Sequence, residues 1–180
     1  DINSVNFTDL DNGWVCGGGG TLLKYEVNDW QKSIYSEVDY INSIFFLDYN
    51  AGYAVSENAG ILNFDGMNWS YSALPSEVTT NELNTINMIN KNTGKIGADY
   101  GTILKFNETT KTWEKDYTDT EKDVYSLKLT GDHSGWAVGE SGLILKAYSG
   151  GWYTIESPTP YNLNSLALFD NEKGLAVGDK

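Results

Sequence analysis

The sequence predicts an all-β protein. We read it as a β-propeller of four-stranded antiparallel blades, with about 4.5 repeats present, either five-bladed or a fragment of a larger propeller. Three observations carry this reading. A glycine-framed beat recurs as Gly13-Trp14-Val15-Cys16-Gly17, Gly52-Tyr53-Ala54-Val55-Ser56, Gly135-Trp136-Ala137-Val138-Gly139 and Gly174-Leu175-Ala176-Val177-Gly178, with a divergent copy at Gly94-Lys95-Ile96-Gly97-Ala98. A small hydroxyl stands nine positions before each opening glycine: Ser4, Ser43, Thr85, Ser126 and Ser165. The beats are 39, 42, 41 and 39 residues apart, a period of about 40 that suits one propeller blade.

Each repeat holds four short extended stretches. The first alternates, with Val5 and Phe7, Ile44 and Phe46, Ile86 and Met88, Leu127 and Leu129, and Leu166 and Leu168 on one face. Its other face carries the hydroxyls, which suits an inner strand near a crowded axis. The second stretch is the beat itself. It is apolar on both faces and is expected between neighbouring sheets. The third opens at Gly20-Thr21-Leu22-Leu23, Gly60-Ile61-Leu62, Gly101-Thr102-Ile103-Leu104 and Gly142-Leu143-Ile144-Leu145, and the fourth is marked by Trp30, Trp69, Trp113 and Trp152. Gly, Asn and Asp between them supply turn chemistry, and no stretch keeps a helical apolar spacing over a useful length. The predicted organisation is one propeller domain over 1–180, with repeats 2–40, 41–82, 83–123, 124–162 and a partial 163–180.

The chain starts at Asp1 and ends two strands into a repeat, which reads as a processed or excised piece of a longer propeller. Open blade edges are sticky, so homodimerisation through them is a further expectation. The net charge is −13, with 12 Lys and no Arg. That excludes a nucleic-acid partner, which needs a basic surface, and disfavours an anionic membrane face. No apolar run is long enough for membrane insertion as a helix. Cys16 is the single cysteine and is expected to be a small buried side chain.

The beat, the Gly-x-Ile-Leu stretch and the Trp landmarks together resemble the photosystem II stability/assembly factor family of β-propellers. The match is densest over residues 124–152 and poorest over 83–113, where Lys95 stands in place of the usual Trp. The last turn of each repeat is also similar to the Asp-box of neuraminidase-repeat propellers, in degenerate form, at Asp65-Gly66-Met67-Asn68-Trp69 and Ser149-Gly150-Gly151-Trp152. The resemblance implies a propeller fold and a non-enzymatic scaffold that recognises a protein or peptide. The family's Arg-rich patch has no counterpart here.

Candidate binding residues fall in the loops after strands two and four, which share one face of a propeller: Asp39, Tyr40, Glu57, Asp99, Tyr100 and Glu140. They would meet a basic partner or a cation. No catalytic residue and no cofactor is assigned. His133 is the only histidine, so no triad or His-based metal cluster can be assembled, and sialidase chemistry lacks its arginines. Asp9-Leu10-Asp11-Asn12-Gly13 resembles the start of a calcium loop, but it falls where every repeat needs its first hairpin turn. The alternative function is an extracytoplasmic carbohydrate-binding or glycoside-hydrolase-related module, because loop tyrosines could stack on a glycan and carboxylates abound. An extracytoplasmic location is expected for either function.

Overall fold

The computed structural model describes residues 1–26, 28–35, 37–148 and 150–180; Ser149 of the last degenerate turn lies outside them. Two compact units are distinguished, Asp1–Ile86 and Asn87–Lys180. The first contains two complete sheets, β1 (Ile2–Phe7), β2 (Gly13–Gly17), β3 (Thr21–Glu26), β4 (Asp29–Ile34), then β5 (Ile41–Asp48), β6 (Ala51–Ser56), β7 (Gly60–Phe64), β8 (Trp69–Ala73). Next come β9 (Leu83–Asn90), β10 (Thr93–Ala98), β11 (Ile103–Asn107), β12 (Thr112–Asp116), then β13 (Val124–Gly131), β14 (Ser134–Gly139), β15 (Ile144–Tyr148), β16 (Gly151–Thr154). The last pair is β17 (Leu163–Leu168) and β18 (Gly174–Gly178). Strand order follows sequence order in all five sheets, four of four strands and one of two. Each complete sheet is therefore a meander, the connectivity expected of a blade.

The beat forms the second strand, and β2 is buried along its whole length. In the first unit Trp14 packs into the following blade. Its ring stacks on Phe46 at 5.5 Å and meets Phe64 edge-on at 5.1 Å and Trp69 at 5.5 Å. Ile41, Ile44 and Leu62 complete that core. In the second unit Leu127, Ala137, Leu145 and Trp152 form one core, and Val138, Leu163 and Leu166 another. Each fully buried leucine contributes about 1.5–3 kcal/mol through burial alone. Trp30 departs from the pattern of its repeat partners: it is 39% exposed, whereas Trp152 is 1% exposed.

The hydroxyls of the first strands have a sharper role than small size. Ser4 Oγ accepts from the Ile44 N–H at 3.3 Å, Ser43 Oγ from Ile86 at 3.4 Å and Ser126 Oγ from Leu166 at 3.2 Å. Each bond joins one inner strand to the next repeat's inner strand. Two residues along, Asn6 Oδ1 accepts from Phe46 at 3.2 Å and Asn87 Oδ1 from Leu129 at 3.0 Å. The pairing register slips at the same repeat position in β1, β5, β13 and β17. This β-bulge falls at Asn3 and Asn42, whose amides donate onward to the Ile41 carbonyl at 3.1 Å and the Leu83 carbonyl at 3.0 Å. The apolar-Asn-Ser signature thus links successive blades through side-chain bonds to backbone.

The second glycine of the beat serves a close approach. A Cβ at Gly139 would lie 1.9 Å from the Asp123 carbonyl oxygen. That carbonyl accepts from the Glu140 N–H at 3.0 Å, whereas in the repeat with Ser56 the matching bond, Glu57 N–H to the Tyr40 carbonyl, lengthens to 3.3 Å.

Candidate functional site

The turn between second and third strands is built the same way in four repeats. Two consecutive residues take positive φ: Gly19 and Gly20, Asn58 and Ala59, Tyr100 and Gly101, Ser141 and Gly142. Such a turn matches the twist of the flanking strands and favours Gly or Asn. Ala59, Tyr100 and Ser141 depart from that preference, and Tyr100, at φ 53°, is the bulkiest of them and points a 72% exposed ring outward. A bulky side chain held in the left-handed region is a strained choice that surrounding structure must enforce. Here the Tyr100 N–H donates to Asp123 Oδ1 at 2.9 Å.

The predicted loop residues fall into two groups, one per unit. In the first unit Glu57 Oε1 accepts from the backbone N–H of Asp39 at 3.0 Å and of Tyr40 at 3.2 Å. Glu37, Val38, Asp39, Glu57, Asn58 and Tyr71 line a small cleft of about 160 Å³ beside them. Asp39 and Tyr40 remain exposed. In the second unit Glu140 Oε2 accepts from the Asp123 N–H at 3.3 Å, and Asp123 in turn holds Tyr100. The Asp99 carbonyl accepts from the Thr102 N–H at 3.1 Å, closing the same turn. Glu57 and Glu140 therefore use part of their acceptor capacity to fix loop backbone. The potential at the second group is negative. Burial pushes the Tyr125 hydroxyl pKa up, and the charges of Asp123, Glu140, Asp99 and Asp179 push it the same way.

The Asp9–Asp11 segment is a closed turn. Asp9 Oδ1 accepts from the Asp11 N–H at 2.8 Å and the Asn12 N–H at 2.9 Å, and the Asn12 amide spans both oxygens. The Asn12 side-chain bond, then the backbone donors, hold the Asp9 carboxyl below the usual range. Among the described residues, no group of three His, Cys, Asp or Glu is placed to hold a metal ion. Cys16 is fully buried, and burial pushes its thiol up to about 12, so the thiolate is not available at neutral pH.

A second locus was not singled out from sequence. On the opposite turns of the second unit, a cavity of about 360 Å³ is lined by Lys95, Lys105, Asp116, Leu129, Ala147 and Trp152, among others. Lys95, the residue that replaces the beat's aromatic, is 8% exposed, and its ammonium pairs with Asp116 Oδ2. Trp152 Nε1 donates to the same carboxylate oxygen at 3.3 Å, and Lys105 Nζ lies 3.8 Å from its other oxygen. The signal in the sequence was the break in the repeat at Lys95. The partner on β12 carried no mark of its own.

No protein-family model matches the chain, and no curated protein matches it. Solved structures do. A structure of YCF48 bound to a D1 peptide aligns with a TM-score of 0.75 at 19% identity, over 98% of this chain and 60% of that one. U3-55K aligns with a TM-score of 0.78 at 9% identity over 97% of this chain, and the RRP9 WD40 repeats at 0.77 and 10% over 97%. The chain is a β-propeller. At these identities the likeness shows the fold alone. The chain spans 60%, 59% and 58% of the three proteins' own lengths.

Proposed function

We propose that this propeller is a non-enzymatic scaffold that docks a basic protein or peptide segment on its loop face. The observation that carries the reading is Tyr100, an exposed ring held at a strained turn position by the carboxylate of Asp123. Tyrosine is a frequent interface anchor because it supplies a large contact area for little lost rotamer freedom. Fixing its backbone beforehand reduces the ordering cost of binding further. Tyr40, 51% exposed, also has its backbone N–H held by a carboxylate, that of Glu57, without the strained turn conformation. The surrounding carboxylates and the net charge of −13 favour lysine- or arginine-bearing segments.

The bound peptide in the YCF48 structure supports the class of partner. The repeat landmarks support kinship with the photosystem II stability/assembly factor family, without that family's Arg patch. We place the protein outside the cytoplasm, which cell fractionation would check. The test of function is a binding screen in solution against pools of basic, neutral and acidic peptides, with a glycan array alongside. Selective retention of basic peptides is expected. Saccharide binding without peptide binding would favour the carbohydrate module instead.

A further inference from the structure

The cavity beside Lys95 is a repeat position with three of its four aromatic rings removed. In the first unit Trp14 lies against Phe46, Phe64 and Trp69. The second unit places Lys95 where the repeat has Trp14, Leu129 where it has Phe46, and Trp152 where it has Trp69. Ala147 replaces Phe64, since Ala54 pairs with Leu62 and Ala137 with Leu145, and each residue lies two positions further on. Three of four rings are thus replaced by smaller or unbranched side chains, and about 360 Å³ stays open with Trp152 as one wall. That volume falls within the ~300–1,000 Å³ range of small-ligand pockets.

The following repeat shows how a ring is held at this position. Trp136 is paired across the strand with Lys146, whose ammonium sits 4.7 Å over the indole, and Trp136 Nε1 donates to the Asn171 carbonyl at 3.0 Å. In the open cavity Lys105 is paired with Lys95 in the same register, and Asp132 occupies the repeat position of Asn171 on the cavity rim. A cation for the ring face and an acceptor for a ring N–H or O–H are both present. The Lys95–Asp116 pair neutralises itself and leaves no uncompensated charge on the floor.

We infer that this cavity is a binding site for an aromatic ring bearing a hydrogen-bond donor, indole above all. Resting on the scaffold reading for its source, the ring is a tryptophan or tyrosine side chain of a protein or peptide segment that lies at these turns, opposite the loop face. Two probes test this on the whole chain by calorimetry and ligand-observed NMR: indole, and N-acetyl-tryptophanamide, which carries a peptide backbone. Both are expected to bind. Ala147→Phe, which restores the ring found at Phe64, is expected to weaken both at least tenfold without lowering Tm. Leu129→Phe fills the cavity from the other wall and serves if Ala147→Phe does not fold. Absence of indole binding, or unchanged affinity in a folded cavity-filling variant, overturns the site. Binding of indole but not of N-acetyl-tryptophanamide overturns the side-chain source. Basic-peptide binding on the loop face without indole binding sinks only this cavity, and indole binding without peptide binding sinks only the scaffold reading.

Discussion

The Ser126 hydroxyl accepts a hydrogen bond from the Leu166 backbone N–H at 3.2 Å, 40 residues further along the chain. The same bond recurs from Ser4 to Ile44 and from Ser43 to Ile86. It satisfies an inner-strand amide that would otherwise face a side chain of the neighbouring blade. Ser126→Ala leaves the Leu166 amide without this acceptor, and an unsatisfied buried donor costs about 1–3 kcal/mol. Ser165 holds the same repeat position but is exposed. Its alanine variant is expected to stay within about 0.5 kcal/mol of the parent. Urea denaturation of the two variants measures the difference, and equal effects would contradict the linking role.

The ion pair between Lys95 and Asp116 is nearly enclosed, with side-chain exposures of 10% and 13%. Removing one member of such a pair costs about 3–5 kcal/mol, while replacing both with apolar residues is close to neutral. Asp116→Ala is therefore expected to destabilise strongly, although Lys105 lies 3.8 Å from the same carboxylate and adds to the loss. Lys95→Met combined with Asp116→Leu is expected to recover part of it, since the buried Trp152 Nε1–H is left without its acceptor. A double-mutant cycle by thermal or urea unfolding reads the coupling.

Lys128 lies on the inner strand β13 and lines a cavity with Asn87, Thr130 and Asp170. Burial depresses its pKa below 10.5. Between the depressed folded value and 10.5 the unfolded chain binds the extra proton, so stability rises with pH across that window. Below the folded value the charged amine opposes folding. Lys128→Met is expected to be more stable than the parent at neutral pH, with the gap closing as pH approaches 10.5. Unfolding curves at several pH values check the sign; a gap that widens with pH would be the wrong one.

Much of the architecture could be read from local spacing, because the landmarks act locally. Glycines at the ends of the beat set turns and close approaches, and alternation in the first strand sets its faces. The roles of Asn3 and Asn42 were less accessible. Their recurrence beside the hydroxyl was visible, but the carbonyls they reach lie one repeat away. Glu57 and Glu140 read as candidate binding residues, and that one oxygen of each also holds loop amides is a matter of geometry rather than residue type. The cavity needs Lys95, Leu129 and Ala147 together. Leu129 and Ala147 are ordinary apolar residues in a strand, and only packing around Trp152 shows what is missing beside them. Trp30 looks like Trp152 in sequence but is far more exposed, since its rings, Phe7 and Tyr25, form a cluster on a half-open face.

The most direct test of the scaffold account is Tyr100→Asn, measured for stability and for basic-peptide affinity in one preparation. Asn is tolerated in the left-handed region where Tyr100 sits at φ 53°. The variant is predicted to be at least as stable as the parent, by up to about 1 kcal/mol, while losing about tenfold in affinity, the equivalent of ~1.4 kcal/mol. Parental binding is also predicted to weaken with added salt, as charge-steered association does. A stable variant that binds as tightly as the parent would contradict the proposal that Tyr100 anchors a partner.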